Sequence, residues 1–412
     1  MTIGKSELAA ATFGVGLGVG ALLHKLASRP TTTTPAQEGT SEVLRLIRPN
    51  VLRLTPYRCA RDDYDQGILL DANENSLGPP LAAEHELAGA GLERYPCPYQ
   101  RELKTTIASF RNGAHGTLTP ANLFLGVGSD EVIDLMIRVA CSPREDAILI
   151  TPPTYGMYSV CANIHDVDII SVPLVRTATT PLPSFHIDPR AILAAVTPAT
   201  KIIFLCSPGN PTANCLRLAD IKAVLEAKSY KGFVFVDEAY VDFADQPSLS
   251  TLVTTYPRLI VAQTLSKGFG LAGIRLGIAF GNPELIQILN NVKAPYNINK
   301  LTAKVAADAL ANVSLLHDKV QLIVEEKAKV ISALQALPFV HQVYASDANF
   351  VLFQCDNAYA VYKDMAEAGV VIRYRGNQLL LDSCLRATIG SSSENDRMLE
   401  LFASVSRRLA QA

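Results

Sequence analysis

From about Leu123 onward the chain alternates short apolar runs of strand length with longer segments whose apolar positions recur at helical spacing. Phe124-Leu125, Ala147-Ile148-Leu149-Ile150, Ile202-Ile203-Phe204-Leu205, Phe233-Val234-Phe235-Val236 and Leu259-Ile260-Val261-Ala262 are continuously apolar, as strands buried on both faces are. Between them, Val132, Ile133, Leu135, Met136 and Val139 keep a helical period. Such alternation predicts a mostly parallel sheet sandwiched by helices. The last third differs. Helical patterns from Leu301 to Leu337 precede strands near 342–345 and 350–353, a helix over 358–368, and apolar runs at Val371-Ile372 and Leu385, which together predict a smaller α+β domain. The expected organisation is an apolar extension and linker over 1–40, an N-terminal arm over 41–95, a large domain over 96–300 and a small domain over 301–412.

The amino-terminal extension carries its own pattern. Leu8 to Leu23 is apolar apart from Thr12 and four glycines, and His24, Lys25 and Arg29 follow it. As a helix it would span about 24 Å, short of the roughly 30 Å hydrocarbon core of a bilayer. A targeting or anchoring segment and a poorly ordered tail both stay open, and membrane contact is expected only through this stretch.

Composition narrows the function. Of 412 residues, 49% are hydrophobic and 18% charged, which suits a globular fold, and a formal net charge of -2 supplies no basic field for nucleic acid. The eight cysteines contain no C-x-x-C pair, so neither a zinc ribbon nor a redox motif is indicated, and reduced thiols in a cytoplasmic setting fit best. Small-molecule partners are expected.

Ligands of parallel sheets bind beyond the carboxyl ends of the strands, so those ends carry the chemistry. The first runs into Gly126-Val127-Gly128-Ser129-Asp130 and opens a helix, whose free amides suit a phosphate, although Asp130 also reads as a cap. The second ends near Tyr155, a stacking platform or a core ring. Asn210 lies between Pro208 and Pro211. Asp237 closes the most apolar strand, where a carboxylate is costly unless a cation faces it, and Tyr240 follows. Thr264-Leu265-Ser266-Lys267-Gly268-Phe269-Gly270-Leu271-Ala272-Gly273-Ile274-Arg275 puts a lysine that can lose water and attack a carbonyl beside a hydroxyl and a guanidinium fork. A phosphate cradle, a stacking ring, a carboxylate and a nucleophilic amine are together the inventory that pyridoxal 5'-phosphate requires.

From about Ser41 to its end the chain resembles the fold-type I pyridoxal-phosphate aminotransferases, and more closely the histidinol-phosphate aminotransferase branch. The motifs are LTPY (Leu54 to Tyr57), LDANENSLGP (Leu70 to Pro79), RYPCP (Arg94 to Pro98), GVGSDEVIDLMIR (Gly126 to Arg138), PPTYGMY (Pro152 to Tyr158), CSPGNPT, VDEAYVDF, TLSKGFGLAGIRLG and KAPYN (Lys293 to Asn297). The resemblance implies a seven-stranded large-domain sheet, a covalent bond from Lys267 to the cofactor aldehyde, and proton transfer at the substrate by the same lysine once freed. It also implies that Asp237 keeps the pyridine nitrogen protonated, that Asn210 and Tyr240 bond the ring oxygen, and that Tyr155 stacks. Ser129, Asp130, Ser266, Arg275 and, from a second subunit of a homodimer, Tyr95 hold the phosphate. Tyr57, Asn73, Asn349, Arg373 and Arg386, with Tyr296 in addition, form the substrate pocket. The implied reaction exchanges an amino group between L-histidinol phosphate and 2-oxoglutarate, a step of histidine biosynthesis. An aromatic-amino-acid aminotransferase, a phosphothreonine decarboxylase and a non-catalytic protein of the same fold are the alternatives. Two positions depart from the family pattern: Ala213 replaces a glycine after the CSPGNPT motif, and Gln263 replaces an arginine before Lys267.

Overall fold

The computed structural model describes residues 41–54, 61, 66, 68, 70–113, 116–178 and 181–409. The extension over 1–40 and Tyr57 therefore lie outside the described residues. Among the described residues, thirteen strands form three sheets: β1 (Leu123–Val127), β2 (Ala147–Ile150), β3 (Asp168–Ser171), β4 (Val175–Thr177), β5 (Ser184–His186), β6 (Thr200–Cys206), β7 (Phe233–Asp237), β8 (Leu259–Thr264), β9 (Leu276–Phe280), β10 (Val340–Val343), β11 (Phe350–Cys355), β12 (Arg373–Tyr374) and β13 (Cys384–Thr388). The large sheet has the order β1-β9-β8-β7-β6-β2-β3. It is parallel through β8, β7, β6, β2 and β3, and only β9 runs antiparallel to its two neighbours.

Alternation along the central strands explains the layering. Val234 and Val236 of β7 enter one apolar cluster, whereas Phe233 and Phe235 enter another on the opposite face. Both faces are thus buried, as continuously apolar parallel strands require. Helix Gly128–Ala140 covers the second face through Val132, Ile133, Met136 and Val139, all buried.

The smaller sheet, β10-β11-β13-β12, is antiparallel throughout. Helices Val313–Gln335, Ala358–Glu367 and Ser392–Leu409 pack on it, with Val330, Met365 and Phe402 in their shared core. The helical pattern from Leu301 to Leu337 resolves into two helices, Lys300–Leu310 and Val313–Gln335. After the apolar run Val371-Ile372 the chain forms a two-residue strand, Arg373–Tyr374, paired with β13. Among the described residues, no helix is long and apolar enough to cross a membrane.

Candidate active site

Parallel register aligns the carboxyl ends of three central strands. Cys206 pairs with Asp237, and Asp237 with Ala262, two residues before β8 ends at Thr264. The chain leaves β8 through Leu265 and Ser266 to Lys267, beside the end of the aspartate strand. A cavity of about 310 Å³ opens there. Its walls include Ser129, Asp130 and Tyr155 on one side, Asn210, Asp237 and Tyr240 on another, and Ser266, Lys267 and Arg275 from the glycine-rich turn. Arg373, Arg375 and Arg386 reach it from the smaller sheet.

Asp237 is 2% exposed. Its Oδ2 accepts the Tyr158 hydroxyl at 2.8 Å and its Oδ1 accepts the Ala239 N–H at 3.1 Å. Burial raises its pKa from 3.8 to about 6, against the lowering effect of those two donors. Lys267 is also shifted: burial depresses its pKa, and Arg386 and Arg275 add repulsion. Its Nζ lies 5.7 Å from the centre of the Tyr240 ring. The carboxyl is thus costly to charge without a cation, and the lysine is biased toward a free amine.

The cradle beside them depends on close backbone approach. Gly128 has φ +73°, and a Cβ there would stand 2.5 Å from Arg275 Nη2. A Cβ on Gly277 would meet the Gly128 carbonyl at 2.2 Å, so glycine is what lets β9 pass against the start of helix Gly128–Ala140. Arg275 sits at φ 54°, its carbonyl accepts the Gly128 N–H at 2.9 Å, and its Nη2 lies 3.5 Å from Asp130 Oδ2. Asp130 also accepts the Tyr155 hydroxyl at 3.0 Å. Within the turn, the Thr264 hydroxyl donates to Ser266 Oγ at 2.8 Å. Helix amides, a hydroxyl and a guanidinium therefore converge where a phosphate would be held.

On the opposite wall, Arg386 Nη1 donates to Asn210 Oδ1 at 2.6 Å, and its guanidinium carbon lies 5.0 Å from the Phe350 ring centre. Asn210 Nδ2 reaches the Tyr240 hydroxyl at 3.5 Å. The Nε atoms of Arg386 and Arg375 are buried and meet no hydrogen-bond partner among the described residues.

Asn73, Asn349 and Tyr296, expected in the substrate pocket, do not line this cavity, and neither does Tyr95, which is expected to serve a second subunit's site. Asn349 is fixed at the start of β11, where its carbonyl accepts the Ile389 N–H at 2.9 Å. Asn73 and Tyr95 share a different depression with Glu74, Arg94 and Lys300. Tyr95 is 51% exposed and stacks on Tyr296, with ring centres 4.6 Å apart. Glu74 holds this arm together by accepting the Tyr95 N–H at 2.7 Å while pairing with Arg61 and Arg94.

Tyr158 and Arg375 are additions. Tyr158 reads in sequence as one more apolar helix position, three residues after Tyr155 and fully buried. The two departures from the family pattern also find a place. Gln263 donates to Glu238 Oε2 and Ser248 Oγ, both at 2.8 Å, and accepts Arg111 Nε at 2.7 Å. Arg111 also pairs with Asp242 at 2.8 Å, and a Cβ on Gly268 would stand 2.5 Å from Asp242 Oδ2. An arginine from a distant helix thus reaches the back of the lysine turn. Ala213 adopts φ 68° in a fully buried position, a conformation that glycine takes without strain.

The family model for aminotransferase class I and II matches residues 65–402. A histidinol-phosphate aminotransferase of Cytophaga hutchinsonii is 43% identical over 359 residues, covering 87% of this chain and 97% of that protein. The one from Saccharomyces cerevisiae is 43% identical over 389 residues, covering 90% and 99%. In three dimensions the chain is similar to histidinol-phosphate aminotransferase from Sinorhizobium meliloti in complex with pyridoxal-5'-phosphate, with a TM-score of 0.69 at 24% identity over 82% of this chain and 90% of that one. Sheet order and sequence similarity agree: the chain belongs to the class I and II aminotransferases and, within them, to the histidinol-phosphate aminotransferase family.

Proposed function

We propose that the protein moves the amino group of L-histidinol phosphate to 2-oxoglutarate, giving imidazole-acetol phosphate and L-glutamate, with pyridoxal 5'-phosphate as cofactor. The observation that carries this reading is one cavity joining Lys267 and buried Asp237 to three arginines. The cofactor fits the residues present. A 2% exposed carboxylate with no bonded cation among the described residues suits a pyridinium nitrogen, and the glycine-lined cradle at Arg275 suits a phosphate.

When bound, pyridoxal 5'-phosphate supplies an aldehyde to carry the amino group and a ring that withdraws electrons from the substrate. Lys267 Nζ would hold that aldehyde and, once freed by the incoming amine, would carry the proton from the substrate Cα to the cofactor, a task that its depressed pKa favours. Asp237 would keep a proton on the ring nitrogen by its charge, while Tyr158 and the Ala239 N–H hold its oxygens. Asn210 and Tyr240 would bond the ring oxygen, and Tyr155, oriented by Asp130, would cover a ring face. Ser129 and Asp130 through their first-turn amides, with Ser266 and Arg275, hold the phosphate. Arg373 and Arg386 grip the anionic end of the substrate.

The exposed Tyr95, displaced with Asn73 from its own chain's cavity, supports a homodimer in which this arm completes the partner's site. Tyr57, in the LTPY motif, and Asn349, at the start of β11, are proposed as further substrate contacts. A cytoplasmic setting is part of the same proposal. Fractionation with and without the residues before Ser41 tests it, and membrane recovery of the full chain contradicts it.

An aromatic amino acid would leave the arginine cluster with a single carboxylate to bind. Steady-state rates with L-histidinol phosphate, phenylalanine and phosphothreonine test the assignment. The first substrate should give the largest kcat/KM, and negligible turnover of it contradicts the reading.

A further inference from the structure

Arg373 of β12 is the direct cross-strand partner of Arg386 of β13. Like charges placed opposite each other destabilise a sheet unless something neutralises them. Arg375 lies two residues beyond Arg373, which is the spacing that returns a side chain to the same face, and its N–H is anchored to the Cys384 carbonyl at 2.8 Å. All three guanidiniums reach the cavity. Five cations (Lys267, Arg275, Arg373, Arg375 and Arg386) face two carboxylates, Asp130 and Asp237, there. Asp130 is the carboxylate beside Arg275, and Asp237 is bonded to Tyr158 and Ala239, so neither carboxylate is bonded to the arginines of the smaller sheet.

Buried donors mark what is missing. The Nε of Arg375 and the Nε of Arg386 are both buried with no acceptor among the described residues, and an unmet buried donor costs about 1–3 kcal/mol. Burial and the two neighbouring arginines hold the Arg375 guanidinium at about 10, still charged at neutral pH. A carboxylate brings one charge and two acceptor oxygens. A phosphate monoester brings nearly two charges and three terminal oxygens, one for each fork.

We propose that Arg375 is the specificity-determining residue of this site: with Arg373 and Arg386 it forms a three-guanidinium pocket that selects a phosphate monoester dianion over a carboxylate on the incoming amine. The proposal rests on the transamination reading above and adds a residue and a selection rule to it. Arg375 acts on substrate capture, so its effect falls on KM.

The test is the amine half-reaction of the holoenzyme, followed by cofactor absorbance, with L-histidinol phosphate and with L-glutamate. Arg375→Gln should lower kcat/KM for the phosphate by about 100-fold, mostly through KM, and lower that for L-glutamate by about 10-fold or less. Arg375→Lys should recover part of the loss. In the unsubstituted enzyme KM for the phosphate should rise as pH falls through the second phosphate pKa near about 6, and Arg375→Gln should flatten that rise. Equal losses with both amines, or an unchanged pH profile, overturn the proposal. Should the unsubstituted enzyme convert L-glutamate but not L-histidinol phosphate, the transamination reading fails by itself. Competition by inorganic phosphate against acetate then decides Arg375: weakened phosphate inhibition in Arg375→Gln supports it, and unchanged inhibition overturns it.

Discussion

The Tyr158 hydroxyl donates to Asp237 Oδ2 at 2.8 Å inside a fully buried pair. Tyr158 stacks on Phe204, with ring centres 4.7 Å apart, and meets Tyr155 edge to face, so the donor is held from both sides. Tyr158→Phe keeps the packing and removes the bond. A lost hydrogen bond to a charged group costs about 1.5–3 kcal/mol, and that cost applies only while Asp237 is ionised. The cofactor-free variant should therefore lose more stability, by thermal denaturation, at about pH 8 than at about pH 5. An equal loss at both contradicts this role for Tyr158.

Asp237 itself predicts a trade of stability for function. Its folded pKa, about 6, lies above the ordinary 3.8, so the cofactor-free fold binds this proton more tightly than the unfolded chain does. The stability from that proton is fully present below pH 3.8 and is lost as pH rises through about 6. Asp237→Asn removes the charge and retains both bonds, because the Tyr158 hydroxyl can accept as well as donate. At about pH 8 the cofactor-free variant should be more stable than the parent, by on the order of 3 kcal/mol, with the gap closing at about pH 4. Activity should nonetheless collapse, since no charge then holds the ring proton. A variant destabilised at every pH contradicts the account.

Ala213 shows magnitudes opposing one another. Its φ of 68° costs about 1–2 kcal/mol, which glycine would relieve. Yet Ala213→Gly frees the unfolded chain by about 0.4–1 kcal/mol and removes a buried methyl worth about 0.8 kcal/mol. The substitution should change unfolding free energy by less than about 1 kcal/mol, which explains how alanine persists at a glycine position. Ala213→Val adds a β-branch to the same φ against Tyr240 and Phe350, and should cost more than about 2 kcal/mol in denaturant titration.

The sequence exposes the cofactor side of the site better than the substrate side. Asp237, Lys267 and Asn210 each follow an apolar strand, so the rule that ligands sit at strand ends finds them. Tyr158 escapes that rule because its hydroxyl lies on a helix position indistinguishable from core. The Arg373–Arg386 pairing depends on antiparallel register, which no local pattern encodes, although the alternation of Arg373 and Arg375 hints at a shared face. Arg111 reaches Gln263 across 152 residues, a contact made by tertiary packing alone. Asn349 enters the substrate pocket by motif alone, and motif does not say which way a loop turns, whereas the place of Tyr95 outside its own chain's cavity agrees with its expected role in a second subunit's site.

The most direct test of the central claim is a single-turnover mixing experiment with cofactor-loaded enzyme, watching the bound aldehyde absorbance decay on adding L-histidinol phosphate. The account predicts complete conversion to the amine form, reversal by 2-oxoglutarate, and no such conversion in Lys267→Ala. Faster conversion by phenylalanine, or conversion that survives the loss of Lys267, contradicts it.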